Sequence, residues 1–280
     1  MWCETLSFDE LMQPSVVGLL ARFHVDLLLA VRPWQLAEVG DAVRGLRDAG
    51  VFVAVWPMLA DVDGRWASAS SALAYGAFTD ELLAQVGFAD ELAIDLEPPL
   101  HDLARWKSGR PTWRQTPAPH TYRTARDSLV GTVERWRAEH RVTTAVLPLL
   151  ALEWRGQWMQ RALGTPATEL AVDRHSVMAY TSLYEGWSRG LVNRSRAERL
   201  LGLTARLTRS RFGAKAAISL GTVGPGAFGD EPGYRDPSEL RRDVQLVRAA
   251  GIDEIALFDL GGVIRRAPAE AWLESLCAPA

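Results

Sequence analysis

Cysteine, lysine and histidine are scarce in this 280-residue chain, and each scarcity removes a class of chemistry. The two cysteines, Cys3 and Cys277, lie at opposite ends, so the sequence holds neither a disulfide framework nor a CxxC metal signature. Free thiols are the expectation, with a single Cys3–Cys277 bridge left open. The five histidines form no HxH or HExxH pair. No catalytic metal and no cofactor are therefore expected, and Asp95, Glu97 and His101 are the one conceivable ligand set. Charge of a single sign is missing too: 31 basic against 34 acidic residues leaves −3, which offers no field for nucleic acid or an anionic membrane. Long apolar runs are absent, since the stretch Val16 to Val31 is broken by Arg22, His24 and Asp26. The first residues are acidic where a secretory leader would be basic, so a soluble, cytoplasmic protein is expected.

What is present in excess is tryptophan: 11 Trp outnumber 8 Phe and 5 Tyr. A helix-glycine-strand phrase also recurs. Leu46-Arg47-Asp48-Ala49-Gly50-Val51 and Val247-Arg248-Ala249-Ala250-Gly251-Ile252 each close an amphipathic stripe and open an apolar run. Leu82 to Gly87, running into Leu92 to Glu97, is a third copy. Before the second stripe, Asp236-Pro237-Ser238-Glu239 supplies an N-cap, Pro at N1 and Glu at N3. Apolar runs predict eight strands, near 2–7, 25–31, 51–58, 91–97, 143–150, 175–180, 215–222 and 254–260, with helices between them. Near-continuous rather than alternating apolarity is what a parallel sheet buried on both faces requires. The expected fold is α/β, a single (β/α)8 TIM barrel over 1–280 with a long loop at 98–121, and a doubly wound open sheet is the alternative.

The fourth predicted strand carries the chemistry. In Leu92-Ala93-Ile94-Asp95-Leu96-Glu97, period two sends the three large apolar residues to one side and Ala93, Asp95 and Glu97 to the other. Carboxylates about 6–7 Å apart at Cβ interact strongly enough to keep one of them protonated near neutral pH, as a general acid requires. Acids at strand ends are also ordinarily solvated or bound to the next helix N-terminus. The C-terminal end of a barrel strand, where such enzymes build their sites, favours the chemical reading.

Phe88 to Glu97 resembles the fourth-strand signature of family 18 glycoside hydrolases, the chitinase-like barrels, Asp-x-x-Asp-x-Asp-x-Glu. Asp90, Asp95 and Glu97 match it, and Ala93 stands at the middle Asp. Ser176 to Thr181 is similar to the family's Met-x-Tyr-Asp, with Thr181 in place of the acid. The resemblance implies a glycosidase with Glu97 as general acid and Asp95 orienting the substrate acetamido group. Tyr180 would support the sugar carbonyl that acts as nucleophile. The family's eighth-strand Trp has no clear counterpart in Ala256 to Leu260. If substrate assistance is lost, a second carboxylate must serve, and Glu153 and Asp259, each ending a strand, are candidates, though either equally suits a helix cap.

Sugar rings stack on aromatics, and Trp56, Trp66, Trp154, Trp187 and Tyr184 follow strands on the expected active face. Trp34, Trp136 and Trp272 are assigned to core or helix packing. Two other classes stay open. Gly221 to Gly226 and Gly261-Gly262 sit where phosphate-binding barrels hold a phosphate, suggesting an isomerase or lyase on a phosphorylated metabolite. A non-catalytic carbohydrate-binding barrel would keep Trp platforms and lose the acid. A Schiff-base aldolase is disfavoured, since Lys107 and Lys215 are the only lysines and Lys215 opens a strand at the wrong end.

Overall fold

Each apolar run forms a strand: β1 (Trp2–Cys3), β2 (Leu27–Val31), β3 (Val53–Pro57), β4 (Glu91–Leu96), β5 (Arg141–Val146), β6 (Arg174–Met178), β7 (Ala216–Gly221) and β8 (Ile255–Phe258). The computed structural model describes residues 1–109, 117–153, 156–188 and 190–278. All eight strands lie in one parallel sheet in sequence order, and with the helices between them they make a (β/α)8 barrel. The helices are α1 (Phe8–Leu11), α2 (Pro14–Arg22), α3 (Leu36–Asp48), α4 (Ala72–Val86), α5 (Leu100–Lys107) and α6 (Pro119–Arg137). They continue as α7 (Trp158–Leu163), α8 (Thr181–Trp187), α9 (Arg194–Phe212), α10 (Pro237–Ala249), α11 (Leu260–Arg265) and α12 (Ala269–Leu276).

The repeated phrase is realised as a helix stop in two of its three copies. At α3, Gly50 has φ +80°, its N–H donates to Arg47 O, and Val51 N donates back to Leu46 O. At α10, Gly251 does the same with φ +77° and bonds to Arg248 O, while Ile252 N reaches Val247 O. This is the left-handed C-terminal cap, which only glycine adopts without strain. The third copy differs: Gly87 keeps a right-handed φ of −57° after α4. The N-cap of α10 forms as its sequence implies, with Asp236 accepting from Ser238 N at 2.8 Å.

Strand ends shift where a cap competes. β1 stops at Cys3 because Ser7 and Glu10 close a reciprocal capping box that starts α1. β5 ends at Val146, since Pro148 opens a 3₁₀ turn, and β8 ends at Phe258 because Asp259 caps α11. The expected loop 98–121 contains α5, with Asp102 in its first turn and Arg105 and Lys107 in its last, a charge order that favours a helix. Part of that loop, 110–116, lies outside the described residues.

Contacts divide the chain into two compact units, Met1–Leu29 with Arg44–Val53 and His175–Ala280, and Ala30–Val43 with Ala54–Arg174. In the first, Trp2 Nε1 donates to Ser219 Oγ at 2.8 Å, and Ser219 pairs with Ser176 at 2.7 Å, a polar thread among β1, β6 and β7. In the second, β4 pairs along its length with β5, and Leu92, Ile94 and Leu96 are wholly buried. At the start of β4 the buried Glu91 is met by Arg141 at 3.6 Å and Arg174 at 4.0 Å.

In the first unit His175 is buried on Phe212 of α9, ring centroids 4.4 Å apart. Burial, with Lys215 and Arg211 nearby, lowers its pKa to about 4. Between that value and the ordinary 6.5 of an unfolded histidine, only the unfolded chain takes the proton. Stability should therefore fall as pH drops from about 6.5 towards 4, by up to about 3 kcal/mol. Urea unfolding of His175→Leu should lose that acid limb, and an unchanged difference between pH 7 and pH 4.5 would refute it.

Candidate functional site

The second unit carries the acidic pair. Asp95 is buried near the end of β4, and Glu97, half-buried, follows the last strand residue. Strand alternation places both on the side opposite Leu92, Ile94 and Leu96, with Cβ atoms about 6–7 Å apart. The loop after β3 is bound to this strand end: Ala67 N donates to Asp95 O at 2.9 Å, and Ala67 forms a parallel bridge with Leu96. The loop also closes on itself, Leu59 N to Arg65 O at 2.8 Å, and Gly64 packs on Pro99 just beyond Glu97. Behind the strand, Tyr75 of α4 is wholly buried, and burial followed by the charge of Asp95 pushes its hydroxyl well above the usual tyrosine pKa. Sequence reading passes over Tyr75, because a tyrosine in an Ala- and Leu-rich helix looks like core.

Glu153 lies in the same unit but is bound as a structural acid. It accepts from Met159 N at 2.8 Å and from Gln160 Nε2 at 2.6 Å, and Gln160 in turn accepts from Ala167 N and Thr168 N. One carboxylate thus caps the start of α7 and ties down the turn after it. Trp56 and Trp66, expected as stacking surfaces, are only 2% and 3% exposed, so neither offers an open ring face. Trp154 lies outside the described residues.

The first unit holds the remaining candidates. Tyr180, at the N-cap of α8, stacks on Phe258 with centroids 6.1 Å apart and 18° between planes. A Cβ on Gly221 would lie 3.1 Å from the Tyr180 ring, so glycine there makes room for it. Phe258 is the last residue of β8. The peptides Gly221–Thr222 and Phe258–Asp259 are cis. Thr181 donates to the buried Asp243 at 2.5 Å, and Tyr234 and Arg194 bind the same carboxylate. Burial raises the Asp243 pKa to about 6 against the opposing pull of Arg194. Tyr184 packs towards α9, its hydroxyl bonded to Thr204 and its pKa pushed up to about 12 by burial. Trp187 is 44% exposed, edge-on to Phe228 at 6.3 Å.

Asp259 is fully engaged. It accepts from Gly262 N at 2.9 Å as the α11 cap, and from Thr5 N and Thr5 Oγ1 at 3.2 and 2.7 Å. Of the two roles open to Asp259, this is the helix cap. Asp259 is held as a clamp between β8 and the segment after β1, with both oxygens bound. At the second glycine pair the Asp259 carboxylate occupies the α11 N-terminus, and Gly262 is close-packed, since a Cβ there would lie 1.4 Å from Val223 O. A phosphate at that terminus would meet a fixed negative charge.

Elsewhere in the second unit, a cavity of about 520 Å³ beside Arg137, His140 and Asp173 lies at the N-terminal end of β5, away from the acidic pair. Among the described residues no three His, Cys, Asp or Glu side chains gather as a metal site, and no helix is long and apolar enough to cross a membrane.

No protein-family model and no curated protein matches this sequence. Solved structures do match in fold. The glycoside hydrolase domain of PgaB (BpsB) from Bordetella bronchiseptica superposes at TM-score 0.59 with 13% identity, over 95% of this chain and 94% of that one. A family 1 β-glucosidase from Thermotoga maritima gives 0.57 at 9% identity, over 87% and 76%. An L-ribulose 3-epimerase gives 0.50 at 12%, over 92% and 78%. These likenesses establish the barrel.

Asp259→Ala should cost about 2–3 kcal/mol, the worth of a helix cap plus buried donors left without an acceptor. Asp259→Asn, which keeps one acceptor, should cost less. Urea midpoints of the two variants are the check, and a loss below about 0.5 kcal/mol in the alanine variant would show that the clamp is not structural.

Proposed function

We propose that this barrel is a carbohydrate-active enzyme that hydrolyses a glycosidic bond, with Glu97 as general acid. The Asp95–Glu97 pair carries this reading: two carboxylates on one face of a barrel strand, at the end where such folds place their chemistry, with the backbone at Asp95 fixed by Ala67. Two of the fold's likenesses, a glycoside hydrolase domain and a β-glucosidase, are named for glycoside chemistry, which lends support.

Glu97 gives its proton to the departing glycosidic oxygen, with Asp95 its neighbour on the same side of the strand. The nucleophile is the one that the resemblance to family 18 implies, and the way the other acids are employed is in keeping with it. Glu153 and Asp259, the two carboxylates considered as replacements, both have each oxygen bound by backbone or side-chain donors. Substrate assistance then fits best: the carbonyl oxygen of a 2-acetamido group attacks the anomeric carbon as the C–O bond to the leaving group breaks. Water opens the resulting ring, with Glu97, now ionised, taking its proton. This mode selects an N-acetylhexosamine at the cleaved bond.

Glu97→Gln should retain the melting temperature and lower kcat by about 10²–10⁴, the usual worth of a general acid. Aryl N-acetylglucosaminide and aryl glucoside make the assay pair, and only the acetamido sugar should be turned over. Wild-type turnover by Glu97→Gln would sink the acid assignment, and saturable binding with no hydrolysis by the wild type would make this a binding barrel.

A further inference from the structure

The chain's net charge of −3 conceals an uneven distribution, for α9 alone holds six arginines and a single acid. That acid is already paired. Glu198 is met by Arg194 at 2.9 Å and by Arg242 of α10 at 3.3 Å. Ala197, Leu201, Ala205 and Thr208 are buried, which turns the opposite side of the helix outwards. There Arg196, Arg199, Leu203 and Arg206 recur at spacings of three, four and three, so they share one face, and all four are exposed. Arg196 donates to Leu191 O at 2.6 Å, whereas Arg199 and Arg206 have no hydrogen bond or ion pair among the described residues. Like charges three and four apart on a helix repel, so the opposite charge has to come from solution or from a partner.

The same face is apolar. Among the described residues of this unit, Trp187, Leu191, Leu200 and Leu203 are the exposed large apolar side chains, and all lie on α8, on α9 or in the turn joining them. Leu191 is 75% exposed, Leu200 42% and Leu203 43%. Apolar residues exposed singly are ordinary on a protein surface, but four gathered on one helix pair among unanswered arginines point to a partner.

We propose that this face seats the protein on an anionic lipid bilayer, with α9 lying along the surface. The mixture of groups selects the occupant. A second copy related by a two-fold axis would set arginine against arginine. Duplex nucleic acid would answer the arginines and leave the leucines in water, and an apolar peptide would do the reverse. A folded partner would need acids and apolar groups in matching register, while fluid lipid supplies both in any register. The guanidinium groups reach the lipid phosphates on extended stems, and the leucines enter the boundary of the acyl chains beneath. With 19 residues α9 is about 28 Å long, enough to meet several headgroups at once. Such attachment is peripheral and reversible, and it stands apart from the sugar chemistry proposed for β4.

The test is co-sedimentation of the full chain with vesicles, of phosphatidylcholine alone or mixed in equal parts with phosphatidylglycerol. Binding should require the acidic lipid and fade as added salt shortens the Debye length from about 10 Å to about 3 Å. Arg199→Gln combined with Arg206→Gln should weaken it about 30-fold, while Arg199→Lys with Arg206→Lys, which keeps both charges, should stay within about 3-fold. Leu200→Ser with Leu203→Ser should cost about 5-fold and leave the salt dependence unchanged. The melting temperature should hold in every variant, because these side chains are exposed. Equal binding to phosphatidylcholine alone, no binding to either vesicle, or full binding by the glutamine pair overturns the proposal. Wild-type affinity in the serine pair, or tighter binding to duplex DNA or polyglutamate than to vesicles, assigns the face to another polyanion and overturns it as well.

Discussion

The chemistry proposed for this chain depends on a strand buried on both faces. Such a strand tolerates charge only where another group answers it, because an ionised carboxylate in a dry core costs far more than a domain's net stability. β4 meets that constraint at its first residue with Arg141 and Arg174 around Glu91. Between its ends it carries only Leu92, Ala93, Ile94 and Leu96 around Asp95, all buried. Charge is thus confined to the strand's two ends, and only the C-terminal end has two acids on one side.

Burial alone does not mark a catalyst here. Glu153, Asp243 and Asp259 are as buried as Asp95, yet each is bound by amides, hydroxyls or guanidinium groups that hold neighbouring elements together. The raised pKa of Asp243 reflects the same economy, since desolvation outweighs Arg194 without any substrate in reach of the argument.

The strands were legible because continuous apolarity is a local signal, and two of the three helix stops were legible because a left-handed glycine is a local need. For Glu153 and Asp259 the helix cap was one of two readings and could not be chosen, for the partners that occupy them are set by folding: Thr5 lies 254 residues from Asp259. Tryptophan was misread for the same reason. Strand and loop position placed Trp56 and Trp66 on the active face, but neighbours from other segments bury them, while Trp34, beside a proline and a helix, is left open. Exposure is a tertiary property, and residue order does not carry it.

The loop that joins these features stores its own strain. Arg65 has φ +66°, a conformation that costs a non-glycine residue about 1 kcal/mol or more. It persists because its side chain is committed twice, to Asp61 and to the face of Trp66, while its carbonyl closes the loop onto Leu59 N. A glycine would hold the backbone turn more easily and would abandon both commitments. Strain kept for a side chain's sake, one residue from the tryptophan that precedes the Ala67–Asp95 bond, argues that this loop is shaped to position groups at the end of β4 as well as to connect β3 with α4.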